Sequence, residues 1–537
     1  MRDTKPFSGW LLQGTAAAIV SLCAAGAQAA APGITGPNFN LSAAPGYISQ
    51  PDGTSVYTWG YGCASPPTGF LPPTIGTAAG ANCPAMQLPG PTLIVTQGQA
   101  VTVTLTNRLP KVAGSTSILF PGFAVTAAPA SSQPAGCTAI APALPGILTT
   151  EVVNGCAVTY SFTATKPGTY VYYSGTQGDV QVEMGMYGTL IVLPNAIPGV
   201  CNGTQNDLAR AADRGNGPHA DFRLAHAAYN HPSACYDREY LFQFSEMDLE
   251  IHKQVDQQAR ADAAKPAAQQ CAKPTGCLLV ATEPYVPTYF MINGRSMPDN
   301  MEPNYALHFP NQPYNGNPHM HPGELTLLRV TGTGRWQHPF HEHGNHVRVL
   351  GRDGNLIQTS TGKLAGPLLF TTTTTPGMAM DGIFQWTGKG LNWDVYAHAD
   401  GITTDTCVPD ANGYYTSDPT AMNYYEWCAD HLKPLESKPF GQVGRGGAVT
   451  LPDPNIFAFG PWYAGSPYLG PDATARAVGA TPIPPSGTVG NPGDEAGFFF
   501  MWHSHNEREI TTNNAFPGGM LMMMGVDPWV FIIDETK

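Results

Sequence analysis

The sequence is poor in charged residues. Only 12% of its 537 residues are Asp, Glu, Lys or Arg, and the net charge is -13. No run of Lys or Arg occurs, which argues against nucleic acid or an anionic membrane as a partner. A Ser-His-Asp set, a phosphate-binding loop and a zinc-protease motif are also missing, so the sequence gives no support to the corresponding hydrolase and nucleotide-binding classes.

Long apolar runs are missing as well, apart from one at the start of the chain. Residues 1–31 predict a cleaved export signal, because Arg2 and Lys5 precede an apolar stretch from Trp10 to Ala25 and a small-residue cleavage site follows at 27–29. No later segment has the length needed to span a bilayer. We therefore expect an exported protein, periplasmic or extracellular, without a transmembrane segment.

Ten of the 11 cysteines lie after residue 31, an even number that suits an oxidising compartment. Sequence alone does not fix their pairing, but local disulfides within loops are the economical arrangement, each contributing about 2–4 kcal/mol. The alternative, a copper thiolate, is not favoured because none of these cysteines lies beside a histidine at a ligand spacing. The expected pairs are Cys63/Cys83, Cys137/Cys156, Cys201/Cys235, Cys271/Cys277 and Cys407/Cys428.

Glycine, proline and apolar residues are abundant. The chain has 60 Gly, 51 Pro and 42% hydrophobic residues, which favours many short strands around a core rather than a disordered chain. Residues 94–105 alternate apolar and polar side chains on both sides of Gly98, as half-buried strands do. The other predicted strands are 166–173, 188–192, 240–248, 289–295, 323–330 and 497–505, and one short helix is predicted at 254–270.

The order of these segments resembles the multicopper oxidase family. The signposts are Pro-Gly-Pro-Thr at 89–92, Pro-Gly-Thr-Tyr at 167–170, Ile-Asn-Gly-Arg at 292–295 and Asp-Gly at 353–354. The resemblance implies an all-β fold of tandem cupredoxin-like Greek-key β-sandwiches with long disulfide-stapled loop insertions. It places a first domain at 36–195, a connector at 196–237, and a second domain at 238–530 with an insertion at about 401–496. A three-domain layout is the weaker alternative.

Two histidine-rich segments carry the candidate chemistry. Residues 338–346 read His-Pro-Phe-His-Glu-His-Gly-Asn-His, and residues 503–505 read His-Ser-His. Residues two apart share one face of a strand, so each segment aims two imidazoles at one point. Imidazole suits Cu, Zn, Fe and Ni, and Cu(II) binds most tightly among the divalent ions. We predict a metal site at His341, His343, His503 and His505; the alternative is four histidines hydrogen-bonded in a polar core.

The resemblance assigns family roles to these positions. His338 corresponds to a type 1 copper ligand, His341 to a type 2 ligand, and His343, His503 and His505 to type 3 ligands. Ser504 occupies the position of the type 1 thiolate, and Glu509 that of the second type 1 histidine. Without the thiolate a blue copper site of the usual kind does not form. His338 and His346 therefore remain weaker metal candidates.

The first domain departs from the family in the same way. The four positions at which relatives carry trinuclear copper ligands hold Leu119, Pro121, Tyr173 and Gly175. A complete three-copper cluster is thus not expected, and the remaining histidines would hold one copper, or two with open positions. A methionine cluster after the second histidine pair is either a soft Cu(I) ligand set or plain core, the core being favoured: Met520, Met522, Met523 and Met524.

The resemblance implies a copper-dependent oxidoreductase. Because the thiolate relay is absent, electrons would enter directly from a small-molecule reductant, with O2 or another small oxidant as the acceptor. Related two-domain enzymes assemble as trimers, which favours a homo-oligomer. Two other functions stay open: a non-catalytic copper carrier or buffer, and an exported structural β-sandwich protein without metal.

Overall fold

The computed structural model describes residues 31–73, 75–77, 80–133, 137, 149–202, 222–389, 408–418, 424–429, 462–463, 498–527, 529 and 533. The predicted export signal lies outside these residues except for Ala31, and most of the predicted insertion at 401–496 lies outside them too. The described part of the chain is mostly β-sheet.

The first ten strands form a double-sheet unit. One five-stranded sheet has the order β4-β1-β5-β10-β9, and the other has the order β3-β2-β6-β8-β7. The strand β1 begins before the predicted start of the first domain at residue 36. The bounds are β1 Gly33–Thr35, β2 Asn38–Ser49, β3 Ser55–Cys63, β4 Phe70–Leu71, β5 Leu93–Thr96, β6 Ala100–Asn107, β7 Thr126–Pro129, β8 Ala157–Thr163, β9 Gly168–Tyr173 and β10 Tyr187–Leu193.

The remaining strands form a second double-sheet unit. Its two sheets have the orders β12-β11-β14-β20-β16-β17, with β18 beside β16, and β13-β23-β22-β15-β19, with β21 beside β22. The bounds are β11 Arg238–Met247, β12 Tyr289–Ile292, β13 His319–Met320, β14 Leu325–Gly332, β15 His338–Glu342, β16 Val347–Arg352, β17 Asn355–Leu356, β18 Leu368–Leu369, β19 Thr371–Thr374, β20 Ala379–Gln385, β21 Trp462–Tyr463, β22 Phe498–Ser504 and β23 Leu521–Val526.

Each unit is a sandwich whose core follows from the alternation in the sequence. In β6 the residues Val101, Val103 and Leu105 are fully buried, and the residues between them are partly exposed. They pack into one apolar cluster with residues of the facing sheet such as Leu93. The second unit has its own apolar cluster, in which Trp502 of β22 is fully buried. The all-β, cupredoxin-like prediction is confirmed.

The described residues include two α-helices, α1 Gly178–Gln181 and α2 Leu249–Ala263. The predicted helix at 254–270 thus exists, but its bounds were wrong. Asp248, the residue directly after β11, caps the helix because its side chain accepts a hydrogen bond from the Glu250 N–H. The helix ends shortly before Pro266, which cannot continue it. Neither of these helices is long and apolar enough to cross a membrane.

Hydrogen bonds connect the two units. Asp381 of β20 accepts hydrogen bonds from the Thr169 hydroxyl and N–H on β9, at 2.5 and 3.1 Å, and from the Tyr229 hydroxyl at 2.6 Å. Arg329 of β14 lies 3.7 Å from Asp381 and pairs with Glu239 at 2.8 Å. These side chains are buried, so the contacts fix how the sandwiches meet.

Four of the five expected disulfides are present: Cys63–Cys83, Cys137–Cys156, Cys201–Cys235 and Cys271–Cys277. Cys428 is also disulfide-bonded, while its expected partner Cys407 lies outside the described residues. The economical rule of pairing cysteines that are close in sequence therefore holds for the four pairs.

Candidate metal centre

Two neighbouring strands bring the histidines together. β15 and β22 pair in antiparallel register, with His341 directly opposite His503. His343 follows the end of β15, and its N–H points to the Met501 carbonyl at 3.4 Å. Because side chains alternate along a strand, these three rings share one face of the sheet.

The three imidazoles are close enough to share one ion. One ring nitrogen from each of His341, His343 and His503 lies within 4.8 Å of the others. The Nε2 atoms of His343 and His503 are 3.2 Å apart. Two imidazole nitrogens bound at about 2 Å to one tetrahedral metal ion are separated by about 3.3 Å. The separation of this pair therefore suits a shared ion as well as a hydrogen bond between the two rings.

His505, the fourth predicted ligand, lies at the rim of this group. Its ring centre is 4.8 Å from that of His341 and 5.7 Å from that of His503. It is exposed, whereas His341 is buried and the other two rings are half-buried. Among the described residues, the cluster thus has a buried side at His341 and an exposed side at His505.

Hydrogen bonds orient the rings. The Nδ1 atom of His341 lies 2.7 Å from the Thr371 hydroxyl, and the Nδ1 atom of His503 lies 2.7 Å from the Ser504 carbonyl. When Nδ1 donates in these bonds, the lone pair is on Nε2, the nitrogen that then suits a metal. The Trp502 indole donates to the His343 carbonyl at 2.8 Å and holds that segment against the core.

The surroundings favour neutral imidazoles. Burial, followed by the charges that the other three histidines would carry, lowers the pKa of His341 to about 3. Burial also lowers the pKa of His503. Neutral imidazole is the form that binds metal ions, so His341 and His503 are in their ligating state at neutral pH.

The two weaker candidates lie apart from this group. His338 is fully buried, and its two ring nitrogens are each 2.8 Å from a carboxylate, Glu509 at Nδ1 and Glu246 at Nε2. His346 packs its ring against Phe370 at 5.1 Å. The structure thus brings together His341, His343 and His503, places His505 beside them, and gives His338 and His346 other neighbours.

The methionine cluster belongs mainly to the core. Met520, Met522 and Met524 are buried in the apolar cluster of the second unit, and Met523 is half-buried. Met522 lies opposite Trp502 in the pairing of β22 with β23. This placement favours the packing interpretation over the ligand interpretation.

The substituted positions of the first unit also come together. Leu119 and Tyr173 pair through backbone hydrogen bonds of 2.7 and 3.3 Å, and Gly175 is so close to Leu119 that a side chain would collide with it. Tyr173 borders a groove that Gly377 and Arg335 of the second unit also line, and none of the four candidate ligands lines that groove. Within the described residues, this face of the first unit does not complete the histidine cluster.

Sequence reasoning missed the polar residues around these histidines. Thr371 sits among five consecutive threonines, so nothing in the pattern singles it out. Glu246 did carry a signal, because it is a carboxylate inside β11, a strand rich in aromatic residues, and it is 2% exposed. A buried carboxylate in such a strand requires a partner, and that partner is His338.

Comparisons with known proteins agree with this architecture. Multicopper oxidase family models match residues 77–196, in the first unit, and residues 281–380, in the second. The comparison with curated proteins gives no match.

Among solved structures the chain is similar to the multicopper oxidase mgLAC, at 14% identity over 91% of this chain and 85% of that one, with a TM-score of 0.41. It is also similar to the blue copper oxidase from Nitrosomonas europaea, at 14% identity, with the same 91% and 85% coverage and a TM-score of 0.39. The copper nitrite reductase from Nitrosomonas europaea is 16% identical over 66% of this chain and 85% of that one, with a TM-score of 0.36. A multicopper oxidase family model therefore matches part of each of the two sandwich units, and the cofactor of the family that these models describe is copper.

Proposed function

We propose that this protein is an exported copper-dependent oxidoreductase with a reduced copper centre, holding one or two ions, at His341, His343, His503 and His505. The observation that carries the proposal is the convergence of three ring nitrogens within 4.8 Å on adjacent strands. The donor set fits copper, because an all-imidazole site suits a borderline transition ion and Cu(II) binds most tightly in the divalent series. Copper bound there would accept and release single electrons.

The protein supplies the remaining requirements. His341 forms the buried floor, and Thr371 fixes the orientation of its ring. His505 lies at the exposed rim, where a small reductant could approach without a dedicated relay. Ser504, which lies between His503 and His505, offers no thiolate. Direct entry of electrons from the substrate is therefore the route that this chain supports.

The domain limits proposed with this function are 36–195 and 238–530, joined by the connector 196–237. Each family match falls almost entirely within one of these domains, although the second, at 281–380, covers only part of its domain. Export is supported by the four local disulfides, since such bonds form and persist in oxidising compartments.

A turnover assay tests the proposal. The purified protein is loaded with copper, and O2 consumption is followed with a panel of small phenolic and inorganic reductants. We expect turnover in the wild type, loss of copper and turnover in His341→Ala, and retention of both in the matched control His346→Ala, which removes a nearby histidine outside the cluster. If the protein binds copper but oxidises none of the reductants, the function as a copper carrier is favoured. If the protein binds no copper, the function as a structural protein is favoured.

A further inference from the structure

Directly behind the copper-binding strand lies a second buried group of polar side chains. Ser504 stands between His503 and His505, so its side chain projects to the opposite face of β22. There its hydroxyl donates to Glu509 Oε2 at 2.5 Å, and the same carboxylate oxygen lies 2.8 Å from His338 Nδ1. These are the positions at which the family resemblance places the type 1 copper ligands.

The group continues into the core of the second unit. His338 Nε2 lies 2.8 Å from Glu246 Oε2. Glu246 Oε1 accepts hydrogen bonds from the Arg335 and Trp336 N–H groups, at 2.6 and 2.8 Å, and from the Tyr285 hydroxyl at 3.2 Å. His338, Glu246 and Glu509 are each at most 2% exposed.

An imidazole with a carboxylate on each nitrogen is satisfied fully when both nitrogens carry a proton. Burial opposes that protonation, but the hydrogen bonds to Glu246 and Glu509 outweigh burial and raise the pKa of His338 to about 9. Among the described residues, the titratable or charged groups next to Glu246 are Tyr285, Arg335 and Glu183, which accepts a hydrogen bond from the Tyr285 hydroxyl at 2.7 Å. At neutral pH the imidazole of His338 is therefore protonated and lies between the carboxyl groups of Glu246 and Glu509.

Glu509 also forms a hydrogen bond with the residue that follows His505. Its Oε1 atom accepts a hydrogen bond from the Asn506 side chain at 2.9 Å, and the Asn506 N–H lies 3.2 Å from Ser504 Oγ. One carboxylate thus holds the residues on both sides of His505, and Ser504 is also the neighbour of His503. β22 ends at Ser504, and beyond it the His505 backbone is held to β15 by a hydrogen bond from its N–H to the Pro339 carbonyl at 2.8 Å.

We propose that Glu509 and His338 are positioning residues, which form a metal-free clamp at the former type 1 site and hold His503 and His505 in register for copper. This inference rests on the proposed copper site. Net stability is a poor explanation for the clamp, because a buried ion pair often stabilises a fold no more than apolar residues would. Partners outside the ligand sphere, in contrast, commonly change metal affinity by about 10–100-fold when removed.

Copper affinity and the cupric EPR spectrum test the clamp. The variants are Glu509→Gln, His338→Gln and the milder Ser504→Ala. The control is His319→Gln, which breaks another buried imidazole–carboxylate pair, that of His319 with Asp527 at 2.6 Å. His319 lies opposite Gly525 of β23, and His503 lies opposite Leu521 of the same strand. Copper affinity is measured by competition with a chelator, and folding is checked by thermal unfolding of the copper-free proteins.

We expect about 10–100-fold weaker copper binding and an altered EPR spectrum in the clamp variants, with wild-type behaviour in the control. The wild-type spectrum should also change with a midpoint near pH 9, and His338→Gln should lack that transition. If Glu509→Gln fails to fold, Ser504→Ala decides the matter. Folded variants with wild-type affinity, spectrum and pH profile would overturn the clamp alone, whereas a wild type that takes up no copper would overturn the proposed function and the clamp together.

Discussion

Raising the pH is expected to destabilise the copper-free protein because of His338. The pKa of this histidine is about 9 in the folded protein, and an exposed histidine in the unfolded chain titrates near pH 6.5. The folded state therefore holds the proton more tightly. The resulting stabilisation is fully present below about pH 6.5 and is lost as the pH rises through about 9.

The size of the effect follows from the difference between the two pKa values. Each pKa unit corresponds to about 1.4 kcal/mol, so protonated His338 stabilises the folded protein by on the order of 3 kcal/mol relative to neutral His338 at the same position. Burial also raises the pKa of Glu183 to about 8. That carboxyl group therefore adds a second loss of stability, which is complete near pH 8.

Urea unfolding of the metal-free protein, with the disulfides intact, measures this dependence between about pH 6 and pH 10. The wild type should lose stability across the whole interval from about pH 6.5 to pH 9. In His338→Gln the free energy of unfolding should no longer fall above about pH 8. The fall below pH 8 that is due to Glu183 should remain. A wild-type free energy of unfolding that does not change across this interval, or an equal decline in His338→Gln above pH 8, would refute the reasoning.

Three further predictions concern other parts of the molecule. Asp381→Asn should lower the free energy of unfolding by about 1.5–3 kcal/mol in urea unfolding, because it replaces the charged acceptor of the Thr169 and Tyr229 hydrogen bonds by a neutral amide; a change below about 0.5 kcal/mol would contradict this. Replacing Cys63 and Cys83 together by Ser should cost about 3 kcal/mol, since their bond closes a loop with a separation of 20 residues; an unchanged denaturation midpoint would argue against it. Met522→Leu should cost less than about 1.5 kcal/mol and leave copper content unchanged, whereas loss of copper on elemental analysis would revive the ligand interpretation of that residue.

Much of the fold could be predicted because its signals are local. The alternation in 100–107 is enough to predict a half-buried strand, and the spacing of His341 with His343 is enough to predict a shared direction. The bounds of α2 were missed because the cap at Asp248 directly follows a strand, with no loop between them to signal a new element.

The partners of the histidines could not be predicted in the same way. His338 and Glu246 are 92 residues apart and meet only because β11 and β15 lie in facing sheets of one sandwich. The family resemblance places Ser504 and Glu509 at metal-ligand positions, but it does not show that they bond to each other and that Glu509 bonds to His338. Contacts of this kind depend on how the sheets pack, which no local pattern records.

The most direct test of the account is the copper content of the purified protein together with its EPR and visible spectra. The account predicts about one copper ion per chain, EPR-active and without the intense blue band of a copper thiolate, and loss of that copper in His341→Ala and His503→Ala. A protein that binds no copper after reconstitution, or that keeps its copper when both histidines are replaced, would contradict the claim that these strands form the metal centre.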